Sequence, residues 1–450
     1  MVAATMKKKY LQTLTALVLL GILGGVMMYL DKRQSREAAK TESKPSTKVV
    51  ALDTNQIQAF TIRPRDGEAI TCERTGGNWS IVEPRKLAAD ASAVSSLLSS
   101  LTSATFDEVI ADHPPQLKDF GLDPPAVAFE VSANGKPDKT TLLLGDDTPT
   151  SGAVYAQVSG NPRVFTLPTY LKSSLSKTLF DLRDRRAVTL DVDQLQRLQV
   201  KSKDKGFTLA KNTQGAWELV LPPPVRTDRY AADEIVGRLR NLSMQTIAAD
   251  DKKKPGEYGF GAPSLRLELQ APGGSQTLVL GKQDKEGNRY FATNSVLEPV
   301  FTLPADFLTS FQRDASDLRS KDLFSFSMFD VNRLEVDTPA GRRVFERQNN
   351  KWKQTAPSPK DEPTEKVESL LNRLHDLRAT AFPKGENLAA LGLAKPAYRF
   401  KAQFGDKNEM EIVEAAKAGE HAYARRSTDP VASEVTKTSL EDIEKALSEL

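Results

Sequence analysis

Only a few side chains in this sequence are of types that do chemistry. There are three histidines, His113, His375 and His421, and one cysteine, Cys72. A zinc site needs such groups close together, and the spacings His-x-x-x-His and Cys-x-x-Cys do not occur. The histidines fall at different places: a loop, a helix and the approach to a strand. Spacing alone leaves a Ser–His–Asp triad open, but no Gly-x-Ser-x-Gly turn marks a nucleophile. Cys72 lies in the strand-like run Ala69–Arg74 and reads as a packed thiol. The adjacent acids Asp146-Asp147 and Asp250-Asp251 lack the alternating spacing with which a loop gathers calcium's roughly six to eight oxygens, and read as solvated turns. Lys252-Lys253-Lys254, beside Pro255-Gly256, has the charge to touch anionic lipid heads or polymers, but reads first as a solvated loop. Neither a Gly-x-x-x-x-Gly-Lys-Ser/Thr phosphate loop nor a Gly-x-Gly-x-x-Gly turn is present. The expectation is no catalytic residue, no cofactor and no metal. A formal net charge of +3 argues against nucleic acid as a partner.

The elements that would position any site are written three times. Trp79-Ser80-Ile81-Val82-Glu83-Pro84 returns as Trp217-Glu218-Leu219-Val220-Leu221-Pro222 and as Trp352-Lys353-Gln354-Thr355-Ala356-Pro357, using all three tryptophans. The indoles stand 138 and 135 residues apart (79 to 217, 217 to 352), and a fixed period with the rarest residue in register marks internal repetition. An apolar-Gly-x-x-Pro turn follows each: Gly121 with Pro124, Gly259 with Pro263, Gly392 with Pro396. Next come Leu144-Gly145 and Leu280-Gly281, with Glu414-Ala415 in the third copy. Val164-Phe165-Thr166-Leu167-Pro168 is repeated from Val300 to Pro304 and lost in the third copy, which has Val431 to Thr436 there. Asp181-Leu182-Arg183-Asp184 matches Asp317-Leu318-Arg319-Ser320.

Between tryptophan and turn, Val94, Leu97, Leu98 and Leu101 fall at i, i+3, i+4 and i+7, as do Val367, Leu370, Leu371 and Leu374. Copy two has Ile235, Leu239 and Leu242, displaced near Pro222–Pro224. These are one-faced helices. Helices are predicted over 90–105, 231–242 and 365–377, with closing helices over 169–182, 305–318 and 440–450. Short alternating runs between them read as strands. Each copy then has the order β-β-β-α-β-β-β-β-α, an α+β domain with helices on one face of a mostly antiparallel sheet. The tryptophans Trp79, Trp217 and Trp352 are expected to plug the helix–sheet core; an aromatic platform for a sugar ring is the other reading.

Tyr10 to Leu30 is uncharged and apolar. At ~1.5 Å per residue it reaches about 30 Å, the thickness of a bilayer's hydrocarbon core. Lys7, Lys8 and Lys9 before it place the N-terminus inside and the bulk of the chain on the extracytoplasmic side. The rival reading is a cleaved signal peptide, whose apolar core is usually shorter, about 7–15 residues. Gly21 and Gly25 permit a homodimer contact within the membrane. The organisation expected is a cytoplasmic tip (1–9), a transmembrane helix (10–30), a polar stalk (31–48), and α+β repeats over 49–188, 189–324 and, more divergent, 325–450.

The anchor, the Trp-x-(apolar)-x-x-Pro and Gly-Leu-Asp-x-Pro marks, Leu-Gly, Phe-Thr-Leu-Pro and the Leu-Arg-Asp close together resemble the bacterial domain-of-unknown-function 4340 family. The resemblance covers about Val49 to Phe324 well and the remainder weakly. It carries over no catalytic residues. It implies an envelope accessory role beside gliding-motility-type ABC transporter components. The function expected is a membrane-anchored scaffold of an ABC-type transport or motility machine, not an enzyme, with a membrane permease as partner. The alternatives are an envelope polymer- or peptide-binding module and an enzyme of unrecognised class.

Overall fold

Alternation of apolar side chains is the local cause of the strands. In Val127–Ala133 every second residue is buried, and Leu265–Ala271 repeats that pattern. A period of two gives each strand one covered face and one facing water. The computed structural model describes residues 48–134, 139–149, 152–220, 225–383 and 387–450. The expected transmembrane helix, Gly21 and Gly25, and all of the stalk but Lys48 lie outside the described residues. Among the described residues no helix is long and apolar enough to cross a membrane.

The chain is α+β, with three large antiparallel sheets and seven helices among the described residues. It divides into two compact units, Met1–Asp184 and Arg185–Leu450. The first unit holds one sheet: β1 (Ile57–Pro64), β2 (Ile70–Thr75), β3 (Asn78–Glu83), β4 (Leu87–Ala88), β5 (Val109–Ala111), β6 (Val127–Ala133), β7 (Thr140–Asp147), β8 (Ala153–Val158) and β9 (Val164–Pro168). The strand order is β4-β3-β2-β1-β6-β7-β8-β9-β5. The second unit opens with β10 (Arg197–Ser202), β11 (Gly206–Lys211), β12 (Trp217–Leu219), β13 (Val225–Arg226), β14 (Ile247–Ala249), β15 (Leu265–Ala271), β16 (Gly274–Gln283), β17 (Arg289–Asn294) and β18 (Val300–Pro304), in the corresponding order. Its other sheet has β19 (Val331–Thr338), β20 (Gly341–Gln348), β21 (Lys351–Ala356), β22 (Lys360–Asp361), β23 (Tyr398–Phe404), β24 (Glu409–Ala418), β25 (His421–Arg426) and β26 (Ser433–Val435). A single bridge, Ala381 to Glu434, stands where the ninth strand would be.

Each sheet carries a long helix: α1 (Ala91–Ser103) after β4, α4 (Arg229–Arg240) after β13 and α6 (Thr364–His375) after β22. Their buried faces are Val94, Leu97, Leu98 and Leu101, Ala232, Ile235, Val236 and Leu239, and Val367, Leu370, Leu371 and Leu374. The carboxylate of Asp90 accepts from the Ser92 and Ala93 amides and starts α1. In the first two sheets this helix runs from one edge strand to the other, β4 to β5 and β13 to β14. Each long helix packs on a closing helix: α2 (Thr169–Leu175), α5 (Ala305–Phe311) and α7 (Lys437–Ser448).

Three expectations need correction. The order β-β-β-α-β-β-β-β-α omits the short edge strands β4, β5, β13, β14 and β22, too brief to show a period of two. The closing helices over 169–182 and 305–318 are each broken. A capping box, Thr178 with Asp181, starts a fresh turn, α3 (Leu179–Leu182), and Asp314 with Asp317 does the same for Ala315–Leu318. The third copy's counterpart of Leu-Gly is Ala415-Ala416 rather than Glu414-Ala415. The ladder sets Val127 against Leu144 and Tyr398 against Ala415.

The segments leaving the first two closing regions clip onto the outer sheet edges. In the first unit Arg183 bridges Ala89, with Asp90 N–H to Leu182 O and Asp184 N–H to Ala88 O both 2.8 Å. In the second, Arg319 bridges Thr227 and then Asp322 bridges Arg378. Residues 318–323 thus bond to the start of α4 and to the segment after α6: Asp228 N–H to Leu318 O 2.8 Å and Ala379 N–H to Lys321 O 2.7 Å. Arginines reinforce the joint. Arg226 donates to Asp322 O at 2.8 Å and Arg426 to Leu323 O at 2.6 Å, while the Arg319 guanidinium lies 3.7 Å from the Phe382 ring centre. Burial, then the charge of Arg226, pulls Arg426 below its ordinary value. The core side chains change sheets at these joints: Ala187 and Val188 belong to the second core, Leu323 and Phe324 to the third.

Candidate functional site

The tryptophans occupy one place in the three sheets, at or next to the start of β3, β12 and β21. Each faces a cation across the ladder: Arg74 opposite Trp79, Lys211 opposite Trp217, Arg347 opposite Trp352. The Lys211 ammonium is 5.2 Å and the Arg347 guanidinium 5.5 Å from its ring centre. That basic partner was readable in the sequence, since a cation precedes each indole by five or six residues. Burial differs: Trp352 is 1% exposed, whereas Trp79 and Trp217 are half-buried at the margins of their cores.

Gly121, Gly259 and Gly392 take left-handed backbone after Phe120, Tyr258 and Leu391, which suits glycine. Pro124, Pro263 and Pro396 lead from those turns toward β6, β15 and β23.

The reactive types are scattered. His113 is exposed in a loop, His375 ends α6 beside Asp376, and His421 opens β25 and faces Glu434 at 2.7 Å. Asp146 and Asp147 end β7 rather than lying in a turn, and Asp147 pairs with Lys172 at 2.9 Å. Asp251 pairs with Lys253 at 2.7 Å, and Lys252 donates to the Asn294 carbonyl at 2.7 Å rather than standing in solvent. Among the described residues no three His, Cys, Asp or Glu side chains gather as a metal would need.

Cys72 is buried in β2. Burial pushes its thiol up to about 12. The thiolate is the reactive form, so aromatic disulfide reagents at pH 8 are expected to leave native protein unlabelled. Labelling should rise only with unfolding, read as thiolate release against urea concentration. Rapid labelling without urea would show an accessible thiol.

A different feature recurs, one built from segments far apart in the chain. On the third sheet, the β19–β20 hairpin, Pro357 after β21 and the last turns of α7 enclose a cleft of about 630 Å³. On the first sheet, the β1–β2 hairpin, Pro84 after β3 and Ser176–Leu179 enclose one of about 360 Å³. Ile62, Gly67 and Pro84 in one stand where Val336, Gly341 and Pro357 stand in the other. Sequence reasoning missed these clefts, because no single segment contains a wall and its floor.

The third cleft has a charged side. Lys417 donates to Glu444 at 2.7 Å and the Tyr398 hydroxyl also donates to it. Burial alone would push the Glu444 carboxyl up, but the hydrogen bonds from Lys417 and Tyr398 outweigh it and hold it below the usual range. Burial, then the bond to Glu444, pushes Tyr398 up. Burial would lower Lys417, yet Glu444 and Tyr398 raise it. All three shifts move away from neutrality, so these groups keep their protonation states at pH 7. Through these contacts Lys417 and Tyr398 tie α7 to β24 and β23 along one side of the cleft.

A family model described as a domain of unknown function (DUF4340) matches residues 79–263 and 217–396. The two matches begin at Trp79 and Trp217 and end at Pro263 and Pro396, four of the repeated marks. No curated protein and no solved structure matches the chain.

Proposed function

We propose, from the premise that this chain belongs to the DUF4340 family, a domain of unknown function, that it carries three copies of one α+β module on a membrane tether and works by binding proteins. The observation that carries the reading is the recurrence of one cleft at the same place on the first and third sheets, with unlike charges around it. A shared scaffold with differing walls suits recognition of more than one segment. The apolar run of residues 10–30 supports a single-pass location in the bacterial cytoplasmic membrane, with the modules on the extracytoplasmic side. The role that fits is an accessory scaffold of an ABC-type transport or gliding-motility-like system. The apolar cleft floors favour one second reading, an envelope peptide-binding module that needs no membrane partner.

Co-purification separates the two. The full chain, solubilised in mild detergent, should bring down a membrane permease. Exchanging residues 6–30 for an unrelated transmembrane helix should abolish that capture. Capture of soluble envelope peptides alone, unchanged by the exchange, would overturn the scaffold role.

A further inference from the structure

We infer that the cleft on the third sheet docks an extended apolar protein segment bearing a carboxylate side chain. The inference rests on the binding role proposed above and names its occupant. Val336, Pro339, Ala340, Pro357 and Leu447 give the cleft an apolar floor, and its volume of about 630 Å³ lies within the usual range of binding pockets, roughly 300–1,000 Å³.

The charges around it do not cancel. Glu444 is held by Lys417 and Tyr398. Arg342 is held by Glu335 at 2.6 Å and Asp337 at 3.8 Å. Arg343 has no carboxylate partner among the described residues. Its Nη1 donates to the Leu447 carbonyl at 2.7 Å, which caps the end of α7 and fixes the guanidinium at the cleft wall. The remaining N–H groups of that planar fork suit a carboxylate approaching with two oxygens. One uncompensated positive charge matches one carboxylate; a phosphate brings about two charges and would leave one unmatched.

The first-sheet cleft supplies the contrast. Its hairpin carries Asp66 and Glu68, and neither is in an ion pair among the described residues. The same architectural place therefore presents an acidic hairpin in the first module and a basic one in the third. Charge of this kind selects partners more than it adds raw affinity.

The test uses the full chain in detergent and fluorescence anisotropy. The probes are a fluorescein-labelled hexapeptide of alternating apolar residues and glutamate, and its lysine and phosphoserine counterparts. The glutamate peptide should bind. Arg343→Gln keeps a donor for Leu447 O but removes the charge, and should weaken binding about tenfold. Arg343→Glu should weaken it further and bring the lysine peptide onto the third cleft. Glu68→Arg should leave the glutamate peptide unaffected. Circular dichroism and the unfolding midpoint separate lost docking from lost folding. Equal binding of the glutamate and lysine peptides, preference for phosphoserine, or no effect of either Arg343 variant on a folded chain would overturn the inference. If docking fails while the permease still co-purifies, only the occupant is wrong; if co-purification alone fails, the scaffold role is.

Discussion

Trp352→Ala is expected to cost the third module about 3–5 kcal/mol, the range for emptying a buried large aromatic site. Trp352 is 1% exposed and belongs to the core that includes Phe345, Phe400 and Leu371. Alanine would leave a void roofed by α6, which cannot collapse without moving its row of buried leucines. Trp217→Ala should cost less, because that indole is half-buried at its core's margin. Trp352→Phe should be milder still, since the Nε1–H of Trp352 is buried without an acceptor, and phenylalanine removes that unmatched donor while filling most of the space. Hydrogen exchange resolved by peptide reads each module separately: β19 to β21 should lose protection in Trp352→Ala while β10 and β15 keep theirs. Equal losses from the two alanine variants would contradict this ranking.

Gly281→Ala should unsettle the second module by about 3 kcal/mol, an overpacking cost at the upper end of the usual range. A Cβ at Gly281 would fall 1.9 Å from the Tyr258 carbonyl oxygen and 3.0 Å from Phe260. The first obstacle is backbone, so no rotamer change relieves it; the Tyr258-Gly259-Phe260 turn would have to lift off the sheet. Gly145 meets the same obstacle, with Phe120 O at 2.1 Å. The third module already has Ala416 there, and its turn sits far enough away that a Cβ on Gly392 would be 3.1 Å from the Ala416 Cβ. Ala416→Gly relieves no clash and removes a buried methyl within β24, so it is expected to cost about 1 kcal/mol. The readout is exchange protection in β15 and β16, and full protection in Gly281→Ala would disprove the clash.

The parts of the fold legible in the sequence were those with a strong period. The i, i+3, i+4, i+7 sets placed α1 and α6 within two residues of their observed ends. Strands such as Val127–Ala133 announced themselves by alternation. What stayed illegible was short or assembled from distant pieces. Leu87–Ala88 and Lys360–Asp361 are strands only because a neighbouring strand pairs with them. The break in the closing helices was legible and missed, since Thr178 and Asp181 already spell a capping box. The cleft on the third sheet joins Val336–Arg343, Pro357 and Glu444–Ser448, segments that no local rule connects. Its Arg343 is one of many arginines in sequence and is singled out only by having no ion-pair partner among the described residues.

The doubly bonded segment 318–323 has a mechanical meaning. With peptide hydrogen bonds on both sides and arginines braced across it, it stiffens the connection between the second module and the third. A push on the second sheet is therefore expected to be passed to the third through this joint, as along a lever, rather than absorbed by bending between them.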